Sequence, residues 1–211
     1  RKWRKEFCQR YKKDIGLPFG CLLRANVVDE EFIRLLKAAG CYRIEIGIES
    51  GNDYIRNDVM RRGMSNEQVI RAFALARSAG IETNAINIIG TPGEDEEMIW
   101  DTIRLNRLVR PTTSSVNIFY PYRGTKLGDD CFEKGLVDKN LYGDFSNERR
   151  ETVLNYPDAY KKKLLHYSRN WEALVYPFDL KRRGLRFVRR SFIGKYLRTI
   201  KRSILGVFKL R

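Results

Sequence analysis

One histidine, His166, stands in the 211 residues, and no two of the four cysteines lie closer than 13 positions. A clustered Cys/His zinc site and a Ser–His–Asp relay therefore lack their parts. No G-x-x-x-x-G-K-S/T, G-x-G-x-x-G or G-x-S-x-G occurs, which excludes the usual nucleotide loops and the hydrolase nucleophile elbow. No run approaches the roughly 18–20 uncharged apolar residues of a spanning helix. What is present is 43% apolar and 12% aromatic residues, enough to bury a core rather than form a disordered basic tail. Cys8, Cys21, Cys41 and Cys131 read as small buried apolar side chains of a reduced, cytoplasmic protein. Arg1 stands first in place of Met, and the opening dozen residues are basic and amphipathic rather than signal-like. The expectation is a piece of a longer chain.

Charge is unevenly placed. The formal balance is +15, yet residues 181–211 hold 12 Lys and Arg and no acid. The first 180 residues carry 29 basic and 26 acidic side chains, a balance of only +3. A near-neutral body with a cationic tail excludes a nucleic-acid-binding reading for the whole chain.

From about residue 18 to 142 strands and helices alternate. Strands are expected at 19–25, 42–48, 83–89 and 115–120. Helices are expected after Asp29, from the Ser65–Gln68 capping box to 79, at 94–110 and at 126–134. Residues 52–62 read as a solvated helix of mixed charge. A further helix is expected over 159–176. The alternation predicts an α/β fold, a partial TIM-like (βα) barrel with parallel strands and an α-helical C-terminal extension. The divisions expected are 1–140 for the barrel piece, 141–180 for a helical extension and 181–211 for a basic amphipathic helix.

The strand Arg43-Ile-Glu-Ile-Gly-Ile-Glu49 carries Ile44, Ile46 and Ile48 on one face and charge on the other. Polar side chains directed into a ligand-filled barrel explain that pattern, and a solvated edge strand is the alternative. Gly90-Thr-Pro-Gly93 forms a strand-to-helix turn ahead of Glu94-Asp-Glu-Glu97. Four carboxylates in a helix's first turn repel an anion, so the turn is expected either to admit a neutral or zwitterionic ligand instead of a phosphate or to be plain turn chemistry.

Four segments in order carry a resemblance. They are Arg24-Ala-Asn with Asp29-Glu-Glu-Phe, Ala39-Gly-Cys-Tyr-Arg-Ile-Glu-Ile-Gly-Ile-Glu-Ser-Gly51, Ile88-Ile-Gly-Thr-Pro-Gly-Glu94, and Tyr120-Pro-Tyr-Arg-Gly-Thr125. Together they resemble the radical SAM superfamily, in the branch often fused to a cobalamin (B12)-binding domain. The resemblance implies S-adenosylmethionine (SAM) and a 4Fe–4S cluster as cofactors, with cobalamin as a further one. It places Glu49 and Ser50 by the ribose and methionine of SAM, Arg61 at its carboxylate and Ile88 on its adenine. Gly90 is to permit a close backbone approach, and Tyr120 is to line the pocket. The family's C-x-x-x-C-x-x-C is absent, so the cluster's ligands are expected outside this chain, no metal is assigned to it, and the piece alone is expected to be inactive. Arg123 stands where the family often has Pro.

In the tail, Val188, Phe192, Tyr196, Ile200, Ile204 and Phe208 recur every four residues, with Lys and Arg covering the rest. A wide apolar face opposite a purely basic one suits an anionic membrane interface. It raises the expectation of a lipid-linked or small-molecule substrate and of a peripheral position at the inner face of the membrane. For the tail the alternatives are packing against the body or a missing domain and, behind it, RNA binding; for the chain the rival is a non-catalytic scaffold or binding module.

Overall fold

The computed structural model describes residues 2–143, 146 and 148–179. The chain divides into two compact units, 1–175 and 176–211. Of the second only 176–179 are described, so the tail read as a membrane-surface helix lies outside the described residues.

The first unit holds a four-stranded parallel sheet in sequential order. Its strands are β1 (Phe19–Arg24), β2 (Cys41–Glu49), β3 (Glu82–Ile89) and β4 (Thr113–Ile118). Helix α1 (Lys2–Asp14) precedes β1. Helices α2 (Glu30–Ala38), α3 (Asn66–Ser78) and α4 (Glu96–Val109) link successive strands, and α5 (Lys126–Glu133) and α6 (Asp158–Val175) follow β4. Parallel neighbours need such crossovers. The helix starts follow their caps: the Asp29 carboxylate accepts from Phe32 N–H at 2.8 Å, and the Ser65–Gln68 capping box is formed. The α/β partial-barrel expectation holds. β2 lies inside the sheet, which removes the edge-strand alternative.

Strand periodicity gives the sheet two unlike faces. Ile44, Ile46, Ile48 and Ala85 are fully buried in one core with Phe32, Leu36, Val69 and Phe73 of α2 and α3. On the other face Leu22, Glu45, Asn84 and Thr113 stand in one register row across the four strands. There Arg43 pairs with Glu45 at 3.5 Å, and Thr113 Oγ1 donates to Asn84 Oδ1 at 2.9 Å. The polar face of β2 thus belongs to a row that is polar from β2 to β4.

A buried polar network fastens the helical layer. Asn106 Nδ2 of α4 donates to Asn87 Oδ1 of β3 at 2.8 Å, and Ser114 Oγ donates to Asn106 Oδ1 at 2.8 Å. Trp171 Nε1 of α6 donates to Ser114 Oγ at 2.8 Å. Fully partnered buried amides specify one arrangement, because any other leaves a donor or acceptor unsatisfied.

The turn after β3 departs from its sequence reading. Asp95, not Glu94, caps α4, accepting from Met98 N–H at 2.9 Å. Glu94 is buried and turns back: its Oε2 accepts from Gly90 N–H at 2.6 Å and Thr91 N–H at 3.2 Å. Its other oxygen has no hydrogen-bond partner among the described residues. Three carboxylates, not four, therefore face the helix start. Tyr156 and Tyr160 donate to the Gly90 and Glu94 carbonyls, at 3.3 and 2.7 Å, tying the turn to the start of α6.

Burial pushes the Glu94 carboxyl up to about 8, against the pull of the two backbone N–H groups. A folded-state value above the unfolded one means the native protein holds a proton that the unfolded chain has released. Stability is therefore expected to fall as pH rises from about 4.5 to about 8 and to level off above. In urea titrations across that range, Glu94→Gln should flatten the Glu94 share of this slope, and an unchanged slope would contradict the assignment.

Candidate functional site

At its C-terminal end β2 breaks into a left-handed residue, Glu49, at φ 63°. A non-glycine residue there is strained and is held by its surroundings. Gly47 leaves the room: a Cβ on it would lie 2.6 Å from Glu49 Oε1. That oxygen pairs with Arg62 Nη2 at 2.9 Å, and Arg24 of β1 donates to the Arg62 carbonyl. Burial pushes the Glu49 carboxyl above its usual range, while Arg62 and Arg24 pull it back.

The segment after Glu49 is built around Arg56, whose side chain is fully buried. Its Nε donates to the Met64 carbonyl at 2.8 Å. Its Nη1 donates to the Ser50 carbonyl at 2.9 Å and to Asn66 Oδ1 at 2.7 Å, and its Nη2 to Asp53 Oδ1 at 2.8 Å. Burial lowers this guanidinium from its ordinary value and Asp53 raises it. Residues 52–62 are thus not a solvated helix. They form a π-helical turn, Tyr54–Val59, wound round a buried cation. Gly51 seats the turn on α4, since a Cβ there would lie 2.4 Å from the Asp101 carbonyl oxygen.

The turn delivers Arg61, itself left-handed at φ 55°, and Arg62 to a cleft of about 900 Å³. The cleft lies beyond the C-terminal ends of β3 and β4, where parallel βα units place their ligands. Ile86 and Ile88 rise from β3, Phe119 and Tyr120 from the end of β4, and Tyr122, Lys134 and Arg149 from the chain beyond.

Of the residues singled out in the sequence, Arg61, Ile88 and Tyr120 meet in this cleft. Glu49 stands behind it and reaches it through Arg62. Ser50 does not face it. Its buried hydroxyl lies 3.3 Å from Thr102 Oγ1 and accepts from Asn52 N–H at 3.2 Å, so it organises the loop. The approach that Gly90 permits is that of Leu164 of α6, whose Cδ1 would lie 2.8 Å from a Cβ there. Arg56, Arg62, Tyr122 and Arg149 were not singled out in the sequence. Arg62 had a signal in its place beside Arg61, and Tyr122 in the Tyr120–Thr125 segment.

The cysteines do not assemble into a cluster site. Cys21 and Cys41 face each other across β1 and β2 at 3.9 Å, and Cys131 is buried on α5. Among the described residues no group of three His, Cys, Asp or Glu could hold a metal ion.

Residues 2–105 match the family model described as "Radical SAM superfamily". By that match residues 2–105 are a radical SAM segment. The chain is 29% identical over 185 residues to the anaerobic magnesium-protoporphyrin IX monomethyl ester cyclase of Rubrivivax gelatinosus, covering 82% of this chain and 32% of that one. It is 26% identical over 140 residues to the cytidylyl-2-hydroxyethylphosphonate methyltransferase of Streptomyces wedmorensis, covering 62% and 26%. Among solved structures, radical SAM coproporphyrinogen III oxidase of Escherichia coli aligns at TM-score 0.57 and 14% identity, over 80% of this chain and 35% of that one. The radical SAM methyltransferase TsrM of Kitasatospora setae, with cobalamin and a 4Fe–4S cluster bound, aligns at TM-score 0.51 and 24% identity, over 63% and 27%. These likenesses show the fold. The chain spans about a third of the cyclase and a quarter of the phosphonate methyltransferase.

The radical SAM fold here depends on Arg56 for the geometry of its second strand end. Arg56→Met leaves the carbonyls of Ser50 and Met64 unsatisfied, and Arg56→Lys cannot reproduce the fork. Each is expected to lose about 2–4 kcal/mol of stability in urea unfolding. A loss below about 0.5 kcal/mol, the size of an ordinary surface change, would contradict the role.

Proposed function

We propose that this chain carries the SAM-binding part of a radical SAM enzyme, acting within a longer protein on a substrate held in the same cleft. The observation that supports the reading is Arg61. A strained strand end and a turn wound on Arg56 present its guanidinium to a cleft otherwise floored by Ile86 and Ile88. Arg61 has no ion-pair partner among the described residues, and a carboxylate with two parallel oxygens suits its fork. The apolar β3 side chains suit the adenine face. Glu49 is assigned an indirect part, holding Arg62 at the rim and meeting the ribose side through it. Ser50 and Gly90 act as supports, by the loop hydrogen bonds and by the packing of α6. Tyr120 lines the wall opposite.

The residues present therefore fit SAM, which supplies a carbon-centred radical when an electron reaches its sulfonium. They do not fit the cluster, whose thiolate trio is absent from the described residues. By this reading the 211 residues alone bind without turnover, and the cluster's ligands, with cobalamin, belong to the rest of the protein. A cyclase and methyltransferases among the relatives support radical chemistry on a small molecule. The lipid-linked substrate and the peripheral seat at the inner membrane face rest on the sequence pattern of 181–211, and the cytoplasmic location on the dispersed cysteines.

Isothermal titration with S-adenosylhomocysteine tests the reading without a cluster. Wild type is expected to bind, and Arg61→Ala to lose roughly 1.5–3 kcal/mol, the worth of a charged hydrogen bond, while adenosine affinity stays unchanged. Absence of binding by wild type, or equal affinity of the variant, would contradict it.

A further inference from the structure

The cleft has a second wall that the SAM assignment leaves unused. Five cations line the cleft, Arg61, Arg62, Lys126, Lys134 and Arg149, against the two carboxylates of Asp58 and Asp130. Three have ion pairs: Arg62 with Glu49 at 2.9 Å, Lys126 with Asp130 at 2.6 Å, and Arg149, through its Nε alone, with Glu148 at 3.4 Å. With Arg61 given to SAM, Lys134 and Arg149 remain, both on the chain beyond β4. Lys134 has no ion pair among the described residues.

Arg149 is held in place. Its backbone carbonyl accepts from Ile118 N–H at 2.8 Å, fixing it to the end of β4, and the residue is left-handed at φ 63°. Its Nε donates to Tyr122 Oη at 2.7 Å, and its guanidinium lies 5.4 Å from that ring's centre. Glu148 lies 3.4 Å from the same nitrogen. The bonds thus hold one edge of the guanidinium, and its two terminal nitrogens donate to none of the described residues. An arginine pre-set by its Nε keeps a fork for an external oxyanion.

Beside that fork the wall is aromatic. Tyr120 and Tyr122 lie 5.1 Å apart between ring centres, and Tyr142 stacks behind Tyr120 at 5.4 Å. Leu127 and Leu136 complete the surface. A cleft with residual positive charge and low-dielectric walls concentrates anions, and its rings favour a flat partner.

We infer that this wall is the substrate subsite and that it takes a molecule with a carboxylate or phosphate on a flat apolar body, the oxyanion seated between Arg149 and Lys134. The inference rests on the SAM reading only in giving Arg61 to SAM.

Calorimetric titration of the 211-residue chain with 2-naphthoate, 2-naphthyl phosphate and methyl 2-naphthoate tests it, with S-adenosylhomocysteine titrated in parallel. At least one anion is expected to bind tenfold or more tightly than the neutral ester, and the tighter of the two names the head group. The double variant Lys134→Ala, Arg149→Gln should abolish that preference and leave S-adenosylhomocysteine affinity within twofold. Should the double variant lose its far-ultraviolet circular dichroism, the comparison passes to wild type in 50 and 500 mM salt, where the preference should shrink. No binding of any naphthyl probe, equal binding of ester and anions, or a preference indifferent to both variant and salt would overturn the inference. Anion preference with no S-adenosylhomocysteine binding counts against the SAM reading alone. The reverse pattern counts against this subsite alone.

Discussion

A guanidinium with no exposed surface organises this molecule's functional end. Arg56 draws together carbonyls from residues 50 and 64 and side-chain oxygens from residues 53 and 66. Each would otherwise need another donor or water, and a buried charge without such partners would cost several kcal/mol. The four bonds fix a turn that ordinary helical geometry does not produce, and the turn sets where Arg61 and Arg62 emerge. Glu49 completes the arrangement from the strand side, and Gly47 and Gly51 clear the space for it. The positive backbone angles of Glu49 and Arg61 mark both ends of the device. Strain of this kind persists only where neighbours over-determine it.

Much of the fold was legible because it is written locally. Alternating Ile on β2 and the caps at Asp29 and Ser65 each depend on residues within a few positions of one another. The site was less legible because its contacts are not local. Nothing around Arg56 distinguishes it from Arg61 or Arg62, and its burial depends on carbonyls that only the folded chain brings together. Glu94 misled for a related reason. An acidic run before a helix is the pattern of dipole complementarity, and only the return of its side chain to Gly90 and Thr91 shows it to be a brace. Ser50 and Gly90 kept their places at strand ends, yet the groups that approach them are Thr102 and Leu164. Sequence position identified the neighbourhood, and packing decided which atoms face the cleft.

The charge follows the same division. Most of the +15 resides beyond residue 180, while the near-neutral body carries 29 basic against 26 acidic side chains. Arg56 is structural, Arg62 is answered by Glu49, and Lys126 is answered by Asp130. Of the cleft's other cations, Arg61 and Lys134 have no ion pair among the described residues, and Arg149 is held through its Nε. That arrangement follows from a parallel sheet whose strand ends all open on the same side.

The Arg56 turn and the β3 and β4 ends are proposed to form one ligand site. Amide chemical-shift mapping of the 15N-labelled chain during titration with S-adenosylhomocysteine tests it most directly. Perturbations are expected to gather at residues 49–62, 86–93 and 118–122, with α1 and α2 silent. Perturbations confined to α1 and α2, or none at saturating ligand, would contradict it.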